Sequence, residues 1–192
     1  MTNEMQKFFI ALILFFSSFL FSNSKPVAIV VHGGAGWFEN MPEGQVEGIM
    51  KGLEDSMNIG YEIIINGGSS LDAVEQAIIH LENDPLFNAG KGAVYTSELR
   101  QELDASIMHG LNNNAGSVAS VTNVKNPISL ARYVMENTEH VMFSSKGAER
   151  VAKDAGLDIV YPSYFYQKDR LDDAKRIKKE KNKMGTVGVV AI

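Results

Sequence analysis

Between Pro26 and Gly156 the chain alternates β-branched runs with stretches of helical periodicity. That alternation restricts it to a fold that layers helices on sheets. Pro26 to Val31 (PVAIVV) reads as a buried strand running into the tight loop His32-Gly33-Gly34-Ala35-Gly36. Val46, Ile49, Met50, Leu53, Met57, Tyr61 and Ile64 recur at helical spacing, and Gly67-Gly68 stops that helix. Ser69 with Asp72 resembles a capping box for a second helix, with Leu71, Val74, Ile78 and Leu81 on one face. Asn83 to Thr96 is a polar, glycine-punctuated loop. Glu102–Met108 and Ser117–Val124 read as strands joined through Gly110–Asn114, a hairpin. Asn126-Pro127 caps a helix with Ile128, Ala131 and Val134 on one side. Val141–Phe143 is a short strand, and Ser145 caps a helix ending at Gly156. No internal repeat interrupts this order.

The two ends differ from the middle. Phe8 to Phe21 is 14 uncharged, largely apolar residues, preceded by Lys7 and followed by Ser22-Asn23-Ser24. It is shorter than the ~18–20 residues of a membrane span. Residues 1–24 are therefore expected to be a signal peptide cut after Ser24, with a membrane anchor as the alternative. A secreted or periplasmic location follows, and the absence of cysteine favours the periplasm over a disulfide-stapled extracellular module. That absence also excludes thiol catalysis, cysteine-ligated zinc and iron–sulfur clusters. The chain's net charge of -5 argues against a nucleic-acid partner. Residues 167–183 run the other way, with eight Lys/Arg against four Asp/Glu. They read as a solvated linker or exposed helix, and no aromatic residue after Tyr166 offers a base a stacking surface. Taken alone, Met184 to Ile192 is a terminal edge strand in which Thr186 is a good strand former.

Five motifs in order carry a family resemblance. They are His32-Gly33-Gly34-Ala35-Gly36, residues 81–92 (LENDPLFNAGKG), residues 102–108 (ELDASIM), residues 124–128 (VKNPI) and Gly185-Thr186-Val187-Gly188. Over residues 26–192 the chain resembles the plant-type L-asparaginase / isoaspartyl peptidase family of N-terminal-nucleophile hydrolases. The resemblance implies an α+β fold, a four-layer αββα sandwich. It also implies an inactive precursor that cuts itself before a threonine into α and β subunits. Here the bond is Gly185–Thr186. Residues 25–185 would be the α subunit, 167–183 its mobile basic linker, and 186–192 the start of the β subunit.

The chemistry suits the residues. A hydroxyl is a weak nucleophile at neutral pH and needs a base. The α-amino group freed by the cut has a reference pKa near ~7.7–8.0, so part of it is neutral and can take the Thr186 proton. Gly185 has no Cβ to block attack on its carbonyl. By the resemblance, Thr186 is the catalytic nucleophile, and His32, Gly33 and Gly34 lie beside the scissile bond and assist self-cleavage. Taken alone, that loop is a strand-ending turn. A lipase-type oxyanion loop would need G-x-S-x-G, which the chain lacks. Asn88 is expected to support the nucleophile, its alternative role being to cap the backbone of its own loop. The main-chain carbonyls of Leu81, Glu82, Asp84, Phe87, Ala89 and Lys91 are expected, by resemblance, to hold a structural sodium ion, and oxygen-only ligation suits a hard cation. No organic cofactor is implied. His109 reads as a surface position, because it shows no ligand spacing with His32, His80 or His140.

The resemblance implies a small amide or dipeptide substrate, either L-asparagine or a β-aspartyl (isoaspartyl) dipeptide. It implies the chain's own β subunit as partner, a dimer of αβ units, and no stable membrane anchor. The family's remaining substrate-binding residues lie in the β subunit, so residues 1–192 alone are expected to be inactive. A glycosylasparaginase of the same fold and a non-catalytic secreted α/β binding protein remain the alternatives.

Overall fold

The computed structural model describes residues 26–34, 41–180 and 188–191. The segment read as a signal peptide, residues 1–24, lies outside them, as do Gly185 and Thr186. The elements in chain order begin with strand β1, Ile29–His32, and helices α1, Glu43–Ile65, and α2, Ser70–Asn83. Strands β2, Leu103–His109, and β3, Asn114–Val121, follow, then helix α3, Pro127–Asn137, and strand β4, Met142–Ser144. Helices α4, Ser145–Asp154, and α5, Lys168–Glu180, and strand β5, Gly188–Ala191, complete the order. Among the described residues no helix is long and apolar enough to cross a membrane.

The strands form two small sheets, one pairing β1 with β5 and one in the order β2-β3-β4. The larger sheet is mixed, with β2 antiparallel and β4 parallel to β3. This is an α/β layering of helices on small sheets, and the expected αββα sandwich is present only to that extent. The hairpin turns as the glycine- and asparagine-rich run predicts. Asn113 sits at φ 59, and its N–H donates to the His109 carbonyl at 2.9 Å. β3 begins three residues earlier than its apolar run suggested, because Asn114 still pairs with His109. Between Leu103 and Ala105 the register shifts, and Asp104 Oδ1 accepts the Ser120 N–H at 2.8 Å.

The main core lies between the three-stranded sheet and helices α3 and α4. Leu103, Ile107, Val118, Val121, Leu130 and Val134 are buried there. β3 and α3 touch backbone to backbone at Gly116, where a Cβ would overlap the Ala131 carbonyl oxygen. The capping box forms as its sequence predicts. Ser69 Oγ accepts the Asp72 N–H at 3.1 Å, and Asp72 Oδ2 accepts the Ser69 N–H at 3.2 Å. Asn66 closes α1, with the Gly68 N–H donating to the Ile63 carbonyl at 2.8 Å and Gly67 at φ 87.

Three local expectations are corrected. On α1, Met50, Met57 and Tyr61 do not face inward; Met50 is 59% exposed and the other two are also on the surface. The inner face keeps Ile49 and Leu53 of the predicted set, beside a ladder of small residues, Gly48, Gly52, Ser56 and Gly60, at four-residue spacing. Ser56 Oγ donates to the Ala77 carbonyl at 2.9 Å, and a Cβ at Gly52 would stand 2.7 Å from Phe87 Cε2. Small residues let α2 and the following loop approach the α1 backbone. Asn126 is the residue before α3, but its side chain does not cap that helix. Ser144, not Ser145, precedes α4, again without a side-chain cap, and Ser145 takes φ 48. In the basic stretch read as a solvated linker or exposed helix, residues 168–180 form the largely exposed helix α5.

Candidate active site

β1 and β5 run antiparallel with Ile29 opposite Ala191 and His32 opposite Gly188. Gly188 stands two positions after Thr186 in the chain. The pairing therefore sets the His32-Gly33-Gly34 end of β1 beside the end of β5 that leads back to Thr186. β1 rests on α1 and β5 on α2, the two helices that pack most extensively on each other. Gly33 is in close contact with Leu53 of α1, whose Cδ2 would lie 3.0 Å from a Cβ at that position. Gly34 takes φ 109, a conformation that excludes side chains from this turn.

Leu81 and Glu82 end α2 and open the loop over residues 81–92. Asp84 N–H donates to the Leu81 carbonyl and Phe87 N–H to the Asp84 carbonyl, both at 3.3 Å. Asp84 Oδ1 accepts the Leu86 N–H at 2.9 Å, an Asx-type turn. Phe87 is buried with Leu81 and Ile49 in a second, smaller core. Asn88 Oδ1 accepts the Val94 N–H at 2.9 Å, so this side chain braces the loop's return. A 3₁₀ turn over Gly90–Gly92 closes it, with the Gly92 N–H on the Ala89 carbonyl at 3.0 Å. A Cβ at Gly90 would collide with the Glu82 carbonyl oxygen, and one at Gly92 with that of Phe87. Two of the six nominated carbonyls thus press on backbone that only glycine can supply. Lys91 Nζ lies 5.2 Å above the Tyr164 ring.

The Glu82 side chain was not anticipated. It is 3% exposed and reaches from the end of α2 to the start of α3. Its Oε1 accepts the Ile128 N–H at 3.0 Å, and its Oε2 accepts Asn126 Nδ2 at 3.0 Å. Glu82 therefore performs the N-terminal capping expected of Asn126, and the α3 dipole favours a carboxylate there. Burial pushes the Glu82 carboxyl up to about 8, against the pull of the hydrogen bonds from Asn126 and Ile128. The α2–α3 junction is fastened again by Arg132, whose Nη1 lies 2.7 Å from both Asp72 Oδ1 and Glu75 Oε2. Glu82→Ala leaves the Ile128 N–H and Asn126 amide without their acceptor and is expected to cost about 2–3 kcal/mol. Glu82→Gln, which keeps one acceptor oxygen, is expected to cost less. Urea midpoints of the two variants decide this, and equal losses would refute the capping role.

His109 is half-buried at the end of β2. Among the described residues no group of three or more His, Asp or Glu side chains could hold a metal ion. The family model described as Asparaginase matches residues 24–192. The chain belongs to the plant-type L-asparaginase / isoaspartyl peptidase family. It is 41% identical over 155 residues to the "Plant-type L-asparaginase" of Pyrococcus horikoshii, covering 80% of this chain and 48% of that protein. It is 37% identical over 172 residues to the "Isoaspartyl peptidase/L-asparaginase" of Danio rerio, covering 85% and 54%. The Xenopus laevis protein of the same name is 40% identical over 175 residues, covering 88% and 55%. The chain spans about half the length of the curated relatives it matches.

Proposed function

We propose that this chain is the α side of a self-processing amidohydrolase that uses Thr186 to hydrolyse L-asparagine, β-aspartyl dipeptides, or both. The observation that carries the proposal is the β1–β5 register, with His32 opposite Gly188. In the proposed cut, Thr186 Oγ1 attacks the Gly185 carbonyl carbon, the Gly185–Thr186 C–N bond breaks, and an ester forms with the amine freed. Water then hydrolyses the ester, leaving a Gly185 carboxylate and a Thr186 α-amine. The same oxygen next attacks the substrate's side-chain amide, the α-amine accepting its proton. Ammonia or an amino acid leaves, and water releases aspartate from the acyl-enzyme. Asn88, which braces its own loop through the Val94 N–H, would support this centre.

The carbonyls of Leu81, Glu82, Asp84, Phe87, Ala89 and Lys91 would hold a sodium ion. The donor set is all oxygen, which suits that cation, and the glycines at 90 and 92 admit close approach by the Glu82 and Phe87 carbonyls. The ion would supply fixed shape to the loop, not reactive chemistry.

The β side would cover sheet faces that the described chain leaves open. Val30 and Val190 pair across β1 and β5 and are 66% and 62% exposed. A groove of about 770 Å³ runs between α2, β2–β4 and β5, lined by Leu71, Val74, Ile107, Met108, Met142 and Val190. Burying such apolar faces in the αββα arrangement would remove a solubility liability. A dimer of αβ units and export through residues 1–24 complete the reading. The test uses the full-length form, in which residues 1–192 are followed by the family's β-side segment. It is expected to release ammonia from asparagine or aspartate from a β-aspartyl dipeptide, and residues 1–192 alone to do neither. No hydrolysis of either substrate by a cleaved full-length form would overturn the substrate assignment.

A further inference from the structure

Helix α5 is held down on a second element. Arg170, half-buried, donates from Nη2 to the Leu86 carbonyl at 3.0 Å. Two turns further on, Lys178 Nζ donates to the Ser97 carbonyl at 2.7 Å. Four residues before the helix, the Tyr164 hydroxyl donates to Asn83 Oδ1 at 3.5 Å, and Lys91 lies over the Tyr164 ring. The loop over residues 83–97 therefore meets this segment at both ends of the helix. Intrahelical pairs hold the helix itself, with Lys168 Nζ 2.8 Å from Asp172 Oδ2 and Arg176 Nη2 2.8 Å from Asp173 Oδ1. The positive charges of Arg170 and Lys178 are instead spent on backbone carbonyls of another segment.

We infer that α5 is a docked guide for the bond that follows it, with Arg170 and Lys178 as positioning residues for self-cleavage. This rests on the self-cleavage reading above. Glu180, the last residue of α5, stands five positions before Gly185. Anchoring the helix fixes one end of the tether that carries the scissile bond, as the β1–β5 pairing fixes the other, and two fixed ends restrict the conformations open to the bond between them. Once the bond is cut, the tether has no further task, so hydrolysis of substrate does not depend on the docking. The basic run is in this account a binding element for carbonyl oxygens, not for nucleic acid.

The test compares the full-length form with its Arg170→Ala/Lys178→Ala variant. The variant loses both charge-assisted hydrogen bonds and is expected to self-cleave at least about tenfold more slowly. After cleavage is driven to completion, its kcat/KM is expected to stay within about twofold of the parent. Arg170→Lys, which retains a donor, is expected to recover part of the rate. Self-cleavage at the parental rate would overturn the inference. A parallel fall in cleavage and kcat/KM would also overturn it, since that marks a general loop defect. If the parent itself stays uncut, the self-cleavage reading fails and with it the guide role. Docking is then still decided by limited trypsin digestion of the 192-residue chain, following cuts after Lys175 and Arg176. Faster cutting in the double variant supports docking, and equal rates refute it.

Discussion

Thr186→Ala is expected to leave the full-length form as one uncut polypeptide and to lower the proposed hydrolysis of asparagine and β-aspartyl dipeptides by at least about 10³-fold. Alanine removes the only oxygen that the proposed mechanism uses as nucleophile, in the cut and in the turnover. It leaves the composition of β5, Gly188–Ala191, unchanged. The fold should therefore survive, because the β1–β5 pairing involves Gly188–Ala191. Thr186→Ser keeps the oxygen and is expected to retain measurable cleavage. Time courses on denaturing gels, with ammonia release from the same samples, check both. Cleavage of the alanine variant at the parental rate would place the nucleophile elsewhere.

Gly116→Ala is expected to be among the most damaging single methyl groups that the described chain could receive. The added Cβ overlaps the Ala131 carbonyl oxygen and stands 2.5 Å from the Met135 nitrogen. Both are backbone atoms of α3, so relief requires the helix to lift from β3. That would open contacts among Val118, Leu130 and Val134, all fully or nearly fully buried. A loss of about 3 kcal/mol or more is expected, toward the upper end for an overpacked core. In a domain of this size that lowers Tm by about 6–12 °C. Gly110→Ala is the control, since a Cβ there meets nothing within 4 Å. It is expected to change stability by less than about 0.5 kcal/mol. Similar melting temperatures for the two variants would contradict the close β3–α3 packing.

Local signals in the sequence were read well where the structure is local. The Ser69–Asp72 box and the hairpin after Gly110 each lie within a few residues; the box forms with the predicted partners, and the hairpin forms with Asn114 drawn from the turn into β3. Helix α1 shows where that reading stops. Apolar periodicity gave weight to Met50, Met57 and Tyr61, but a glycine contributes nothing to such a pattern. The buried face is nevertheless set by Gly48, Gly52 and Gly60, because absence of a side chain is what permits Leu86, Phe87 and Ile29 to approach. A small-residue repeat at four-residue spacing was the available signal.

At the candidate site, motif order along the chain joins His32 to the segment around Thr186 as an expectation, and the structure sets His32 opposite Gly188. Glu82 was not legible as a cap. Its partner Ile128 lies 46 residues away, and nothing within either helix announces the pairing. Arg170 was hidden for the same reason, being one cation in a basic run whose contact with Leu86 spans 84 residues.

The central claim is that the Gly185–Thr186 bond breaks itself, and intact-mass measurement of the purified full-length form tests it most directly. The account predicts two polypeptides, one ending at Gly185 and one whose amino terminus is Thr186. A single uncut chain, or a cut at any other bond, would contradict it.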